Sequence, residues 1–228
     1  MINNLLKLLQ LSDPTLPIGG FSHSAGLETY VQQQLVNNTE TVRSFVTEML
    51  SKNIHYTDAA LVSLAYDAAK ENNISKIIEM DGICNAVKLP EEIRQSSYKM
   101  GRRLLKIFQP LQEAELIAEF NEAVKSKNAA GHYCIVFGIT AAIMQIEKQE
   151  MLTGFYYNAA VGFVTNSVKL IPLSQQSGQE VLFSLHALIN SLAEKSMNPD
   201  EDLIGLCCAG FDIKSMQHER LYSRMYMS

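Results

Sequence analysis

Long apolar runs are missing from this 228-residue sequence. None approaches the roughly 18 to 20 residues that a membrane-spanning helix needs, which excludes such a helix. The N-terminal segment Met-Ile-Asn-Asn-Leu-Leu-Lys lacks the leading basic residues and small-residue cleavage site of a signal peptide. An excess of positive charge is also missing, because 19 Lys and Arg face 24 Asp and Glu, for a net charge of −5. We therefore expect a cytoplasmic protein that binds neither membrane nor nucleic acid.

Motifs for catalysis and metal binding are equally scarce. The sequence contains no Cys-x-x-Cys pair, no phosphate-binding Gly-x-x-x-x-Gly-Lys-(Ser/Thr) loop and no Gly-x-Ser-x-Gly elbow. No two histidines have the i, i+4 spacing that brings two imidazoles to one helical face. The histidines are His23, His55, His132, His186 and His218. These absences predict a chain with no active site, no metal site and no cofactor of its own.

The cysteines have no spacing typical of a disulfide framework. They are Cys84, Cys134 and the adjacent pair Cys207 and Cys208. Reduced thiols are the plain interpretation for a cytosolic protein. The adjacent pair could bind a soft metal only with ligands from elsewhere in the chain.

Helical patterns dominate what is present. Thr39 is a predicted N-cap, and the apolar residues between positions 42 and 50 recur at spacings of three and four. Thr57-Asp58 predicts the start of a further helix, and Ser177 begins a capping-box pattern. No segment alternates polar and apolar residues for long, so a sheet is not expected. We predict an all-α fold, a single-domain bundle over residues 1–228 with roughly nine or ten helices.

Two of the predicted helices are apolar on nearly every side. Residues 132–146 carry no charge before Glu147, and residues 152–168 are similarly apolar. A helix that is apolar all round is buried. In the second segment, the small residues Ala159, Ala160 and Gly162 predict a close approach by another helix.

The stretch over residues 9–28 departs most from helical sequence. Two prolines restrict φ within it, and two adjacent glycines free it. Its apolar Leu16, Ile18 and Phe21 predict a loop of specified shape that lies on the body of the protein. A packed structural loop and a functional surface both fit this pattern.

Met100-Gly101-Arg102-Arg103 places a glycine and two guanidinium groups inside a predicted helix. A helical glycine costs roughly 1 kcal/mol relative to alanine, so Gly101 predicts a close approach by another backbone. The adjacent arginines point in different directions, so one can be internal while the other lies at an interface. An ordinary solvated basic face is the alternative.

The C-terminal segment is unusual for a chain end. It reads His218-Glu-Arg-Leu-Tyr-Ser-Arg-Met-Tyr-Met-Ser228, whereas chain ends are normally frayed and polar. Tyr, Met and Arg are the residue types enriched in interface cores. The pattern predicts a docking tail over about residues 212–228. It can dock onto its own body or onto another protein, and we favour the second.

Motifs along the whole chain resemble those of the UreF family. The sequence Leu-Pro-Ile-Gly-Gly-Phe-Ser-His-Ser-Ala-Gly-Leu-Glu, which ends at Glu28, is similar to the N-terminal signature of that family. The segment from Met100 resembles its Met-Gly-x-x-Leu motif, and the segment from Gly131 resembles its Gly-His-x-x-Val-x-x-Gly helix. Val-Lys-Leu-Ile-Pro-Leu-Ser-Gln from Val168 and the closing His-Glu-x-Leu-x-x-Arg pattern from His218 are similar to its last two motifs.

Some positions depart from the family pattern. Cys134 stands where proline is expected, Ser174 where glycine is expected, and Lys169 where arginine is common. The ending Met225-Tyr226 replaces Leu-Phe. These departures affect the detail of the site assignments rather than the family.

The resemblance implies an all-helical, non-enzymatic maturation factor for urease, the nickel-dependent enzyme that hydrolyses urea. UreF proteins form homodimers, bind the accessory protein UreD (also called UreH) and recruit the GTPase UreG. That assembly delivers nickel to apo-urease as GTP is hydrolysed. The first hypothesis is therefore a scaffold. The second is a regulator of GTP hydrolysis, with Arg102 or Arg103 acting in trans. The third is direct handling of nickel through His23, His132 or a water-filled passage.

The resemblance also implies which residues bind partners. The candidates for UreG-facing or dimer surfaces are Gly19, Gly20, Glu28, Arg102 and Arg103. His23 and Lys169 are further candidates for partner binding. The candidates for contact with UreD are His218, Arg220, Leu221, Tyr222 and Arg224.

Overall fold

The fold is that of a computed structural model, which describes residues 2–20, 23–206 and 208–227. Over these ranges the chain forms helices and no β-strand. The α-helices are α1 (Ile2–Leu11), α2 (Leu27–Gln32), α3 (Thr39–Glu48), α4 (Ala60–Lys70), α5 (Ile74–Val87), α6 (Glu91–Phe108), α7 (Glu115–Lys125), α8 (Tyr133–Ile143), α9 (Lys148–Leu170), α10 (Gln175–Ser184), α11 (His186–Lys195) and α12 (Ala209–His218). A π-helical segment, Met49–Ala59, joins α3 to α4. None of the helices described here is long and apolar enough to cross a membrane.

The predicted all-α class is confirmed. The helices outnumber the predicted nine or ten because apolar periodicity does not register short interruptions of the helical backbone. Leucines and isoleucines recur at helical spacing from residue 182 to residue 192, yet a turn at Leu185 separates α10 from α11.

The predicted helix start at Thr57-Asp58 is wrong. The backbone stays helical from α3 through the π-helical segment into α4, so no helix begins there. The Thr57 hydroxyl donates back to the carbonyl of Asn53 at 2.5 Å, and the Asp58 carboxylate accepts a hydrogen bond from Lys88. Neither side chain is available to cap a helix.

Two predicted caps are displaced by one to three residues. Asn38, not Thr39, caps α3, because its extended backbone lets its side chain accept from the Thr41 amide in a capping box. Ser174, not Ser177, caps α10 by accepting from the Ser177 amide. Local sequence thus predicts that a helix begins, but neighbouring polar residues compete for the cap.

Helix α8 lies at the centre of the bundle and packs against both α4 and α6. All of residues 134–142 are buried, which confirms the prediction for this segment. Gly138 permits the contact with α4, since a Cβ atom there would lie 2.6 Å from the carbonyl oxygen of Val62.

Helix α9 is less enclosed than predicted. Phe155 and Phe163 are buried, but Tyr157 on the opposite side is 40% exposed. The predicted close approach at Gly162 is wrong, because no atom in the described ranges lies within 4 Å of its Cβ position. The helix is approached instead at Gly154, where a Cβ atom would lie 2.7 Å from Leu8 of α1.

The close approach predicted at Gly101 is confirmed. A Cβ atom there would overlap the carbonyl oxygen of Gly131 and lie 2.7 Å from the carbonyl carbon of His132. The turn before α8 therefore rests directly on the backbone of α6, and only glycine leaves room for it.

Gly101→Ala is expected to lower the free energy of unfolding by about 1–3 kcal/mol, because the added methyl group overpacks this contact. Gly82→Ala on α5 is the matched control, since nothing in the described chain lies within 4 Å of its Cβ position. There, alanine should stabilise the helix by roughly 0.5–1 kcal/mol. Urea unfolding followed by circular dichroism measures both. Similar effects of the two substitutions would contradict the packing at Gly101.

Candidate partner-binding site

The N-terminal loop, of which residues 12–20 and 23–26 are described, lies on the body of the protein as predicted. Leu16 and Ile18 are buried within the main core cluster. Phe21 falls outside the described residues. The loop is therefore packed, and its shape depends on the helices beneath it.

Helix α6 supports the middle of this loop through Arg103. The guanidinium Nη1 donates to the carbonyl oxygen of Ile18 at 3.1 Å. Gly19 has a φ of +89° and its Cβ position coincides with the Arg103 guanidinium. The left-handed backbone favours glycine at this position, where a side chain would also displace the guanidinium. Gly20 faces the sulfur of Met100, 3.6 Å from its Cβ position.

Helix α9 supports the end of the loop. The Asn166 side chain donates to the carbonyl oxygen of His23 at 2.8 Å. Burial lowers the pKa of the His23 imidazole, and the positive charges of Lys99 and Arg103 lower it further. His23 is thus held neutral over a wider pH range than a free histidine.

A cluster of four ionisable side chains, here called the tail clamp, joins the C-terminal tail to the body. The tail clamp consists of Glu28 (α2), Glu92 (α6), His218 (α12) and Arg224 (tail). His218 Nε2 lies 3.2 Å from Glu28 Oε2, and its Nδ1 lies 2.8 Å from Glu92 Oε2. Arg224 Nη1 donates to Glu92 Oε1 at 2.7 Å.

Glu28 also receives the tail backbone. Its carboxylate accepts the amide of Met225 at 2.8 Å and that of Tyr226 at 3.2 Å. Glu28 and His218 are both buried. Each imidazole nitrogen faces a carboxylate oxygen, so the ring of His218 is held between Glu28 and Glu92.

The predicted tail residues therefore separate into two sets. His218 faces inward, and Arg224 is bound to Glu92, so the tail packs on its own body. Arg220 and Tyr222 are exposed and Leu221 is half-buried. Tyr222 keeps its full solvent exposure. The structure thus contains the intramolecular docking that was the less favoured alternative, and it leaves an outward tail face whose role is untested.

The two arginines of α6 hold different loops. Arg102 donates to the carbonyl oxygen of Ala130 at 3.0 Å and lies 5.1 Å from the centre of the Tyr98 ring. Arg103 holds the N-terminal loop. Both residues are exposed, so the expectation that one is internal does not hold. Lys169 of α9 is also exposed.

A buried ion pair was not found by the sequence reasoning. Lys88 Nζ donates to both carboxylate oxygens of Asp58, at 2.9 and 2.7 Å. Burial raises the pKa of Asp58, but the charge and hydrogen bonds of Lys88 outweigh burial and hold it below its usual value. Burial likewise lowers the pKa of Lys88, but the negative charge of Asp58 outweighs burial and raises that pKa above its usual value. In the sequence, a lysine at the end of an apolar helix was the feature that could have indicated this ion pair.

Asp81 was also missed. It is buried on α5 and accepts the backbone amides of Ala130, Gly131 and His132. Its signal in the sequence was a carboxylate, two residues after Glu79, among isoleucine and methionine residues. Glu92 was not among the predicted site residues either.

An internal cavity of about 240 Å³ lies between the N-terminal loop, α6 and α9. Its walls include the Asp58–Lys88 pair and the predicted residues His23 and Lys169. The exposed Asp13 and Lys169 stand on its wall, so the cavity reaches the surface. Sequence reasoning had no local signal for this space.

Metal-ligating side chains are not grouped in the described part of the chain, where no three or more His, Cys, Asp or Glu residues could hold an ion together. The ring nitrogens of His132 face Ser97 and Asn85 at 3.1 and 3.4 Å. Cys207 lies outside the described residues, so the possible pairing with Cys208 is not tested.

The fold and these contacts define a class: an all-α bundle whose distinctive features are a supported surface loop and a clamped C-terminal tail. Comparison with known proteins gives the particular family. A profile of the UreF family matches residues 36–186. The chain is 48% identical over 227 residues to the urease accessory protein UreF of Actinobacillus pleuropneumoniae serotype 3 (strain JL03), covering 100% of both chains.

Two further relatives carry the same name. The chain is 46% identical over 227 residues to the protein of Haemophilus influenzae (strain PittEE), covering 100% of this chain and 97% of the relative. It is 34% identical over 228 residues to that of Bacillus sp. (strain TB-90), covering 100% of both. The chain therefore belongs to the UreF family of urease accessory proteins, and the resemblance is confirmed.

Glu28→Gln is expected to release the tail from the body. The substitution keeps the shape of the side chain but removes the charge that accepts from His218 and two tail amides. Hydrogen bonds to charged groups contribute about 1.5–3 kcal/mol each, so trypsin cleavage after Arg220 and Arg224 should accelerate about tenfold or more.

Glu40→Gln is the matched control, because Glu40 is exposed and makes only a surface pair with Arg43 at 3.3 Å. Its cleavage rate should stay at the wild-type value, and far-UV circular dichroism should be unchanged in both variants. Equal cleavage of the two variants would mean that the tail clamp does not hold the tail.

Proposed function

We propose that this chain acts in urease maturation as a non-catalytic cytoplasmic scaffold. It binds UreD (UreH) through the outward face of its tail and recruits the GTPase UreG, so that nickel is inserted into apo-urease by the assembly. A homodimer is part of the proposal. Membership of the UreF family supports the general role, and the surface chemistry of the tail supports the mode of action.

The observation that carries the proposal is an exposed apolar and cationic face on α12 and the tail. Ile213 is 52% exposed, Met216 is 42% exposed, and Tyr222 keeps its full exposure. Arg220, two residues before Tyr222 in the chain, is also exposed. Met, Tyr and Arg are the types enriched at the centres of protein interfaces, and grouped exposed apolar side chains mark interaction sites.

The tail clamp gives this face a fixed position. Because Glu28 accepts two tail amides and binds His218, the backbone behind Tyr222 is tied at both ends before any partner arrives. A segment that is already ordered loses less conformational entropy on binding. In this proposal Glu28, His218 and Arg224 position the tail, while Arg220, Leu221 and Tyr222 contact UreD.

A second surface is proposed for UreG or for the dimer contact. It is formed by the N-terminal loop with the exposed cations Arg103 and Lys169, and by Arg102, which neighbours Arg103 on α6. Gly19 is buried beneath the Arg103 guanidinium, so the two loop glycines shape this surface rather than contact a partner. Because the whole chain has a net charge of −5, a local group of cations differs from the overall charge of the protein.

Tyr222→Ala is expected to weaken binding of UreD at least tenfold, because truncation of a central aromatic residue costs about 2 kcal/mol or more at an interface. Co-purification and titration of the full chain with UreD measure the effect. Since Tyr222 is fully exposed, its truncation leaves the fold of the chain unchanged.

Phe183→Ala is the matched control, an aromatic truncation at a residue of α10 that is 75% exposed. It should retain wild-type affinity for UreD. Wild-type binding by Tyr222→Ala, or equal losses in the two variants, would refute the assignment of the tail face.

Regulation of GTP hydrolysis is the second candidate function, favoured by the two exposed guanidinium groups on α6. A catalytic arginine supplied in trans is worth about 10³–10⁵ in rate. Under the scaffold proposal, Arg102→Ala and Arg103→Lys leave the GTP turnover of bound UreG within about twofold of wild type. Lys106→Ala on the same exposed side of α6 is the control. A loss of a thousandfold with normal binding would establish the regulator instead.

A further inference from the structure

Two buried thiols from different helices touch each other in the core. Cys84 of α5 and Cys134 of α8 are both free cysteines without solvent exposure. Their Sγ atoms are 3.4 Å apart, which is sulfur–sulfur contact. They are separated by 50 positions in the sequence. A bond between them needs the sulfur atoms to close by only a little more than 1 Å.

The two thiols have unequal environments. Burial raises the pKa of Cys84, but hydrogen bonds from Cys134 and His132 and the charge of Lys88 outweigh burial and bring it below the usual value. Burial raises the pKa of Cys134, and the neighbouring Cys84 and Asp58 raise it further. Of the two thiols, Cys84 is therefore the one that loses its proton more readily. Only a thiolate attacks an oxidant efficiently.

A cavity open to the surface approaches this pair at Lys88, an electrostatic neighbour of both thiols. Lys88, which interacts electrostatically with both cysteines, lines the internal cavity of about 240 Å³, and so does Tyr133. The cavity reaches the surface at Asp13 and Lys169. The buried Tyr133 hydroxyl has no hydrogen-bond partner in the described part of the chain. It is therefore available to donate to a small polar molecule that enters.

We propose that Cys84 and Cys134 form a peroxide-sensitive dithiol that oxidises to an intramolecular disulfide joining α5 to α8. The Cys84 thiolate attacks a peroxide oxygen, the O–O bond breaks, and the leaving alkoxide or hydroxide takes up a proton, which leaves a sulfenic acid on Cys84. The Cys134 sulfur then attacks the Cys84 sulfur, and the departing hydroxide and the Cys134 proton leave as water.

Oxidation has a defined consequence for the fold. The bond would close a loop of 50 residues and tie the central helix α8 to α5. It also removes the thiolate charge, so that Lys88 then pairs with Asp58 alone. By the chain-entropy relation, the disulfide should raise the Tm by about 5–10 °C. In a reducing compartment the bond is transient and responds to oxidant. This inference does not depend on the proposed function.

The test uses the full chain with Cys207→Ser and Cys208→Ser, which leaves only the buried pair. Hydrogen peroxide should cause a mass loss of two hydrogen atoms, a peptide cross-link between Cys84 and Cys134, and a higher Tm that dithiothreitol reverses. The rate should rise with pH as the Cys84 thiolate forms and then level off.

Two single variants separate the roles of the thiols. Cys134→Ser should stop at a sulfenic acid on Cys84 that dimedone traps, whereas Cys84→Ser should react much more slowly. A bulky maleimide should modify neither thiol of the parent chain over the same time, because it cannot enter the cavity. Two thiols that stay free under peroxide would overturn the proposal. Rapid labelling by the maleimide would also overturn it, since the cross-link would then arise from unfolded chains.

Discussion

The buried carboxylate of Asp81 is the interaction on which the arrangement of the bundle depends. It accepts the backbone amides of Ala130, Gly131 and His132, which immediately precede α8. The residue before α8 supplies no side-chain cap. Asp81 of α5 accepts these amides instead, and its carboxylate lies at the positive end of the helix dipole. The same turn rests on Gly101 of α6. One carboxylate and one missing Cβ atom thereby set where the central helix starts.

A polar seam runs beside this central helix within an otherwise apolar core. It contains the Asp58–Lys88 ion pair and the contact between Cys84 and Cys134. Buried ion pairs contribute little net stability compared with apolar packing, but the loss of one partner leaves a costly unpaired charge. The seam therefore fixes how α5, α8 and the π-helical segment pack together more than it adds to stability. It also gives two thiols the unequal environments that our redox proposal requires.

The tail clamp extends the same principle to the surface. Glu28 and Glu92 come from elements that are far apart in the chain, and His218 and Arg224 join both of them to the tail. The inward side of the tail thus makes intramolecular contacts. On its outward side Tyr222 is exposed and can contact the partner that we propose. A rigid helical body with a clamped docking segment suits a protein that assembles others.

The sequence by itself determined the all-α class, the buried character of α8, the backbone contact at Gly101 and membership of the UreF family. These features follow from local periodicity, from the unique steric freedom of glycine, and from motifs along the whole chain. Only the tertiary structure decided the pairs Glu28–His218, Asp58–Lys88 and Cys84–Cys134, and the support of α8 by Asp81. Each pair joins residues that are distant in sequence, and nothing in the local pattern of a charged or thiol residue names its partner. The packing of the helices brings them together. It decides which charged side chains are buried and must therefore be paired, and which stay exposed to solvent and need no partner.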